Sequence, residues 1–131
     1  MAAHSNQSDA IEFSSLDLAK IAARAADDKQ GTEILVIPVG EVLAITEYFV
    51  VASASNKRQV RAIADEVLTR IREASGKSPL RSEGTSEQQW ILVDYGDVVV
   101  HVFAEETRRF YEIERLYKDV VPVDWQAGQG S

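Results

Sequence analysis

The chain has 131 residues, a formal net charge of −7 and no cysteine. It therefore has the size of one ordinary domain, and neither disulfides nor thiolate metal sites hold it together. The acidic excess argues against non-specific nucleic-acid binding, which needs cations against phosphates, and favours a basic protein partner or simply solubility. No apolar run reaches the roughly 18 residues of a membrane span, and the N-terminus lacks the basic and apolar regions of a signal peptide. We expect a cytoplasmic protein without a membrane partner.

The N-terminal part of the chain predicts a leader and a helix. Residues 1–13 are small and polar, which is typical of a mobile leader. Ser14 and Asp17 have the spacing of a capping box. We expect a helix over about residues 16–29, with Gly31 as its C-cap.

Two strands are predicted after this helix. Residues 33–39 and 48–53 are rich in β-branched and aromatic side chains. Pro38 has no backbone donor, so it must lie at a sheet edge or a strand end. The short connection favours an antiparallel pair, because a parallel return needs a longer crossover.

The clearest helix in the sequence covers about residues 57–74. Ser55 or Asn56 stands where an N-cap is needed, and apolar residues recur at steps of three and four. We interpret the charged residues between them as a solvated helix face. A polar loop over residues 74–88 follows.

Residues 89–103 predict a β-hairpin. Two runs of β-branched residues flank the turn Asp94-Tyr95-Gly96-Asp97, which has turn-forming chemistry. The second run is almost continuously apolar, so we expect it at the centre of the sheet with both faces covered. The strand before the long helix and the first hairpin strand should form a right-handed β-α-β unit with parallel strands.

A last helix is predicted over about residues 105–117, and its buried stripe comprises Phe110, Ile113, Leu116 and Tyr117. Pro122 ends any helix, and residues 120–131 predict a mobile tail. The element order is then α-β-β-α-β-β-α. We expect a single α/β domain over residues 14–119, built on a small mixed sheet of four or five strands with packed helices.

The residues that could carry chemistry are Asp94, Asp97 and His101. Paired carboxylates can hold a divalent cation, and a histidine can ligate it or transfer protons. Aspartate is expected in a turn for turn reasons alone, however, and a histidine in a buried strand is more often structural. A nucleotidyltransferase needs a D-x-D-type pair after a Gly-Ser turn, and the Ser53-Ala54-Ser55 turn has none. We therefore expect no enzyme activity and no cofactor.

Aromatic residues in the hairpin favour a protein interface instead. Trp90 opens the hairpin and Tyr95 lies at its tip; exposed aromatic side chains are typical interface anchors, and core packing is the alternative for both. Trp90, Leu92 and Asp94 share one face of their strand, and Ile91, Val93 and Tyr95 share the other. Residues 82–107 contain six Asp or Glu and no Lys or Arg. An acidic surface around an aromatic anchor suits a basic protein partner.

Three blocks of the sequence, in order, resemble the ribosomal silencing factor family, also called the Iojap-related family. The first is T-E-Y-F-V-V-A-S-A-S-N-K-R-Q-V-R-A-I-A over residues 46–64, and the second is S-E-G over residues 82–84. The third is W-I-L-V-D-Y-G-D-V-V-V-H-V-F followed by R-R-F-Y-E-I-E-R-L, within residues 90–116. The resemblance covers about residues 15–117. The chain departs from the family pattern at three positions. The family often has Asp where this chain has Glu47, Gly where it has Ala54 and Trp where it has Tyr117.

The resemblance implies a nucleotidyltransferase-like fold without catalytic residues, in a protein that is often a homodimer. It implies binding to the basic L-fourteen protein of the large ribosomal subunit, which blocks joining with the small subunit and represses translation under nutrient limitation. Alternatives are a large-subunit assembly factor, which would use the same surface, and a nucleotidyltransferase-like enzyme. Sequence-specific nucleic-acid contact is not expected. Our hypothesis for the partner-binding residues is Trp90, Leu92, Asp94, Tyr95, Asp97, His101, Arg108 and Tyr111.

Overall fold

A computed structural model describes residues 13–127 of the chain. Most of the predicted leader and the last four residues lie outside this range. None of the helices in the described part is long and apolar enough to cross a membrane. The elements in chain order are α1 (Ser15–Asp28), β1 (Thr32–Ile37), β2 (Tyr48–Ala54), α2 (Lys57–Ser75), β3 (Arg81–Glu83), β4 (Trp90–Asp94), β5 (Val98–Ala104) and α3 (Glu105–Tyr111). Short 3-10 helices follow β1, at Val39–Glu41, and α3, at Ile113–Tyr117.

The strands form one mixed five-stranded sheet in the order β1-β2-β5-β4-β3. This confirms the predicted mixed α/β fold, the antiparallel β1–β2 pair and the antiparallel β4–β5 hairpin, with β5 at the centre. The predicted parallel pairing of β2 with the first hairpin strand is wrong. The parallel partner of β2 is β5, and β4 lies on the far side of β5, antiparallel to it. The chain adds β3 and β4 at the outer edge before it returns to the centre.

Helices α1 and α2 cover one face of the sheet and form the main core with it. Side chains of the central strands that point to this face are fully buried, as the near-continuous apolar run in β5 predicts. The helix α1 contributes mainly small side chains, which let its backbone lie close to the sheet and to α2. Its buried alanines are Ala19, Ala22, Ala23, Ala25 and Ala26.

The helix starts agree with the sequence, because Ser14 and Asp17 form a capping box and Asn56 caps α2. The end of α1 differs from the predicted Gly31 cap: Gln30 takes the left-handed conformation, with φ 67°. Gly31 instead donates its N–H to Ala26 O at 2.8 Å, and an added Cβ would lie 3.0 Å from that oxygen. A side chain there would require its neighbours to shift by a few tenths of an ångström.

The predicted last helix is shorter than expected. It stops where Glu112 takes the left-handed conformation, with φ 46°, and the chain continues as the 3-10 helix. This break splits the predicted buried stripe. Phe110 and Leu116 are 80% and 76% exposed, whereas Ile113 and Tyr117 pack on the sheet face opposite α1 and α2.

Residues 120–127 do not form the predicted free tail. The Val123 N–H donates to Val36 O at 2.8 Å, and the Trp125 indole donates to Ile34 O at 3.2 Å. Trp125 is 9% exposed. This segment therefore covers part of the outer edge of β1, which reduces the exposure of an unpaired strand.

Candidate interaction surface on the second sheet face

The sheet face opposite α1 and α2 carries a cluster of aromatic side chains, which we call the aromatic face. Alternation along the strands places Phe49, Trp90, His101 and Phe103 on this face. Trp90 lies at its centre, with its ring centroid 4.7 Å from Phe103 and 4.9 Å from Tyr111 of α3. Phe49 meets the His101 ring edge to face at 4.6 Å. Such contacts fix the rings against one another.

One hydrogen bond sets the protonation of the buried histidine. The Trp90 indole Nε1 donates to His101 Nδ1 at 3.1 Å. An indole only donates, so Nδ1 must accept, and the neutral imidazole carries its proton on Nε2. Burial lowers the pKa of His101 to about 4, and the Asp94 carboxylate opposes this shift only in part. His101 is 5% exposed and serves as a structural partner of Trp90.

The lowered pKa predicts that the fold loses stability in mild acid. Between pH 6.5 and pH 4 the unfolded chain binds a proton at His101 that the folded chain does not. The free energy of unfolding should therefore fall with falling pH, by about 2 kcal/mol from pH 7 to pH 5. Urea unfolding at both pH values measures it. The control is His101→Gln, whose amide oxygen can still accept from the indole; an equal loss in the variant would exclude His101 as the source.

Two of the residues predicted for the interface make contacts inside the domain. Tyr95 packs on the opposite side of the sheet, against the main core, and burial raises the pKa of its hydroxyl to about 12. Its prediction as an exposed anchor is wrong. The Asp94 carboxylate accepts from the Gly96 N–H at 2.8 Å and from Arg81 Nε at 3.1 Å, so its charge is partly neutralised.

Arg108 is also not an exposed contact. It is 4% exposed, and its Nη1 donates to Glu33 O at 2.6 Å and to Ser53 Oγ at 2.8 Å. Its Nε lies 3.3 Å from the Glu114 carboxylate. Arg108 thus ties α3 to β1, to β2 and to the 3-10 helix, which is a structural role.

Besides Trp90, which is only partly covered, three predicted residues remain at least partly accessible, together with one that the sequence did not single out. Asp97 is exposed at the hairpin turn, and Tyr111 is 52% exposed. Leu92 is half-buried and lines an apolar pocket of about 220 Å³ with Phe49. Ile45, in the connection between β1 and β2, also lines this pocket and is 84% exposed. Ile45 could not be predicted as a surface residue from the sequence, because a short irregular connection has no periodicity.

The geometry favours binding over metal chemistry at this face. Within residues 13–127, no group of three or more His, Asp or Glu side chains could hold a metal ion. Asp94, Asp97 and His101 are therefore not gathered into a metal site. What the face offers is a rigid, half-covered aromatic cluster beside exposed carboxylates, an arrangement that suits a protein partner.

Comparison with known proteins is consistent with this geometry. A family model described as "Ribosomal silencing factor during starvation" matches residues 12–130. The Ribosomal silencing factor RsfS of Bacillus subtilis is 38% identical over 109 residues, which cover 83% of this chain and 92% of that protein. A crystal structure of a protein from Chromobacterium violaceum has a TM-score of 0.77 at 34% identity, covering 81% of this chain and 88% of that one.

A more distant relative comes from mouse. The protein named "Mitochondrial assembly of ribosomal large subunit protein 1" is 31% identical over 87 residues, covering 65% of this chain and 38% of that protein. The family match extends over the whole described domain, including both strands of the hairpin and the C-terminal segment. The chain belongs to the ribosomal silencing factor family.

Proposed function

We propose that this protein binds the L-fourteen protein of the large ribosomal subunit through its aromatic face. Bound there, it occupies part of the surface that the small subunit needs, so that the subunits do not join and translation falls under nutrient limitation. The mechanism is steric, and no bond is made or broken. Family membership supports the ribosomal partner, and the aromatic face supplies a surface for it.

The observation that carries the proposal is the partial exposure of a preorganised aromatic cluster. Phe103 beneath the cluster is fully buried, and Trp90 above it is only partly covered. Tyr111 is held against Trp90 and is 52% exposed. Rings that are already fixed lose little conformational entropy when a partner covers them. Aromatic side chains of this kind dominate the binding energy of protein interfaces.

Charge supports a basic partner. The chain has a net charge of −7, and Asp97 at the rim of the aromatic face makes no ion pair within residues 13–127. Rim charges act mainly on the association rate and on the salt dependence of binding. The protein should therefore bind the large subunit more weakly as the salt concentration rises.

A second candidate function is large-subunit assembly, which the printed name of the mouse relative favours. It would use the same aromatic face on a precursor of the subunit. Removal of the protein would then lead to immature large subunits, whereas loss of a silencing factor leaves subunit maturation intact. A homodimer that covers the aromatic face would compete with either partner.

Co-sedimentation with purified large and small subunits tests the proposal. We expect the protein to bind the large subunit only, and Asp97→Lys to weaken binding by about tenfold at low salt, with a smaller effect at high salt. The matched control is Asp27→Lys, an equal charge change at an exposed position at the end of α1. Binding to neither subunit would contradict the proposal. Equal losses in both variants would remove Asp97 from the interface.

A further inference from the structure

A second concavity adjoins the aromatic face. It has a volume of about 480 Å³ and is lined by eight residues of the connection between β1 and β2, by Tyr48 of β2 and by Asp97 of the hairpin turn. Backbone hydrogen bonds join these two segments, because the N–H groups of Glu47 and Tyr48 donate to Asp97 O at 2.9 and 3.0 Å. The walls of this acidic cavity are thus held by two elements in a fixed register.

Three carboxylates line the cavity, those of Glu41, Glu47 and Asp97, and no Lys or Arg is among the described residues that line it. None of the three makes an ion pair within residues 13–127. The Glu47 carboxylate accepts a hydrogen bond from the Ser15 hydroxyl, which leaves its charge uncompensated. Unpaired negative charges around a concavity focus the potential there and attract a cation.

A buried hydroxyl in the same cavity lacks a partner. Thr46 lines the cavity and is 6% exposed, and its Oγ1 makes no hydrogen bond within residues 13–127. A buried polar group without a partner lowers stability, so native proteins satisfy nearly all of them. Thr46 also lines the apolar pocket of the aromatic face. The hydroxyl oxygen has almost no accessible surface, so a donor from outside the chain can reach it only when the Thr46 side chain turns toward the cavity.

We propose that the acidic cavity binds a lysine or arginine side chain of the partner that docks on the aromatic face. This inference rests on the proposed function and assigns the partner a basic side chain at a defined place. Leu43, Ile45 and Thr46 line both the cavity and the apolar pocket. One continuous partner segment can therefore reach both.

The chemistry of the walls selects a long basic side chain over a bare ion. The carboxylates are not arranged for a metal ion within the described residues, and the cavity is far larger than a single ion. Leu43 and Ile45 suit the aliphatic stem of Lys or Arg. The carboxylates accept hydrogen bonds from the cationic head, and charge-assisted bonds of this kind are strong.

A direct test uses argininamide as a probe, titrated at low salt into the isotope-labelled protein and followed by the amide signals in NMR spectra. We expect saturable shifts at Gly40, Thr46 and Asp97. These shifts should be lost in the triple variant Glu41→Gln, Glu47→Gln, Asp97→Asn. The matched control neutralises three exposed carboxylates on the helices of the other sheet face, Asp27→Asn, Asp65→Asn and Glu73→Gln. Shifts spread over all acidic surfaces, or retained in the triple variant, would overturn the inference.

Binding to purified large subunits separates this inference from the proposed function. We expect the triple variant to bind at least about tenfold more weakly than the control variant, and to show a shallower dependence on salt. If the wild-type protein binds and both variants match it, the cavity proposal is wrong and the proposed function stands. If the wild-type protein does not bind at all, the proposed function is wrong, and the argininamide titration alone decides whether the cavity takes a basic side chain.

Discussion

Replacing Arg108 by alanine should destabilise the fold by about 3–5 kcal/mol. The guanidinium is almost fully buried and satisfies Glu33 O, Ser53 Oγ and the Glu114 carboxylate. Its removal would leave the Glu114 carboxylate, which is 26% exposed, without its cation. The Glu33 carbonyl would lose the guanidinium as a hydrogen-bond donor. Uncompensated buried groups, more than the lost contacts, set the size of the effect.

Urea unfolding measures this loss, and Arg109→Ala is the matched control. Arg109 is the next residue of α3, is exposed and makes no ion pair within residues 13–127. Its replacement should change stability by less than about 0.5 kcal/mol. If Arg108→Ala kept wild-type stability and lost only partner binding, Arg108 would be an interface residue. Its hydrogen bonds to β1 and β2 would then contribute little to stability.

Gly84→Ala should cost about 3 kcal/mol, far more than the same change at Gly76. Both glycines have positive φ, 84° and 77°, so both variants carry the strain of a left-handed alanine, about 1 kcal/mol. At Gly84 a Cβ would also lie 1.9 Å from Trp90 O, whereas Gly76 has open space around it. The backbone at the start of β4 would have to move, which costs further free energy.

The difference between the two glycine variants isolates the clash with β4. Thermal or urea unfolding of both variants measures this difference, and the NMR signal of the Trp90 indole N–H reports whether the surroundings of Trp90 have changed. Equal losses in the two variants would mean that the loop before β4 adjusts freely. The position of Trp90 would then not depend on Gly84.

Sequence patterns within a few residues predicted the hairpin and the helix starts, because contacts between neighbouring residues determine them. Two apolar runs rich in β-branched residues around Asp94-Tyr95-Gly96-Asp97 predicted the hairpin. Capping residues predicted the helix starts at Ser14 and at Ser55 or Asn56, of which Asn56 is the cap. The pairing of β2 with β5 could not be read in the same way. Three exposed polar residues, Arg81–Glu83, form β3 only because β4 offers them an edge. Nothing in their own pattern marks a strand.

Long-range contacts explain the remaining differences. Arg108 lies 75 residues from Glu33 in the chain, and an arginine in an amphipathic helix normally faces water. Trp125 lies three residues after Pro122 and precedes a Gly-rich end, a composition typical of a free tail, yet its large ring covers β1. Such packing depends on which surface is left open after the sheet has formed.

The sequence predicted the part of the candidate surface that lies on strands, but not the part that lies on an irregular connection. Period-two alternation placed Trp90 and Leu92 on one face, as the structure has them. The same alternation places Tyr95 on the opposite face with Ile91 and Val93, where it packs against the main core. The connection between β1 and β2 has no periodicity, so neither the exposed Ile45 nor the carboxylate of Glu47 beside the hairpin was marked as part of a surface.

The most direct measurement mixes purified large and small subunits after the large subunits have been loaded with this protein, and quantifies joined ribosomes by gradient sedimentation. We predict that joined ribosomes fall in proportion to the fraction of large subunits that carry the protein. Trp90→Ala, checked for its folded state, should bind about 30-fold more weakly or worse and restore joining. If large subunits that carry the wild-type protein join small subunits as readily as bare ones, the steric mechanism is wrong.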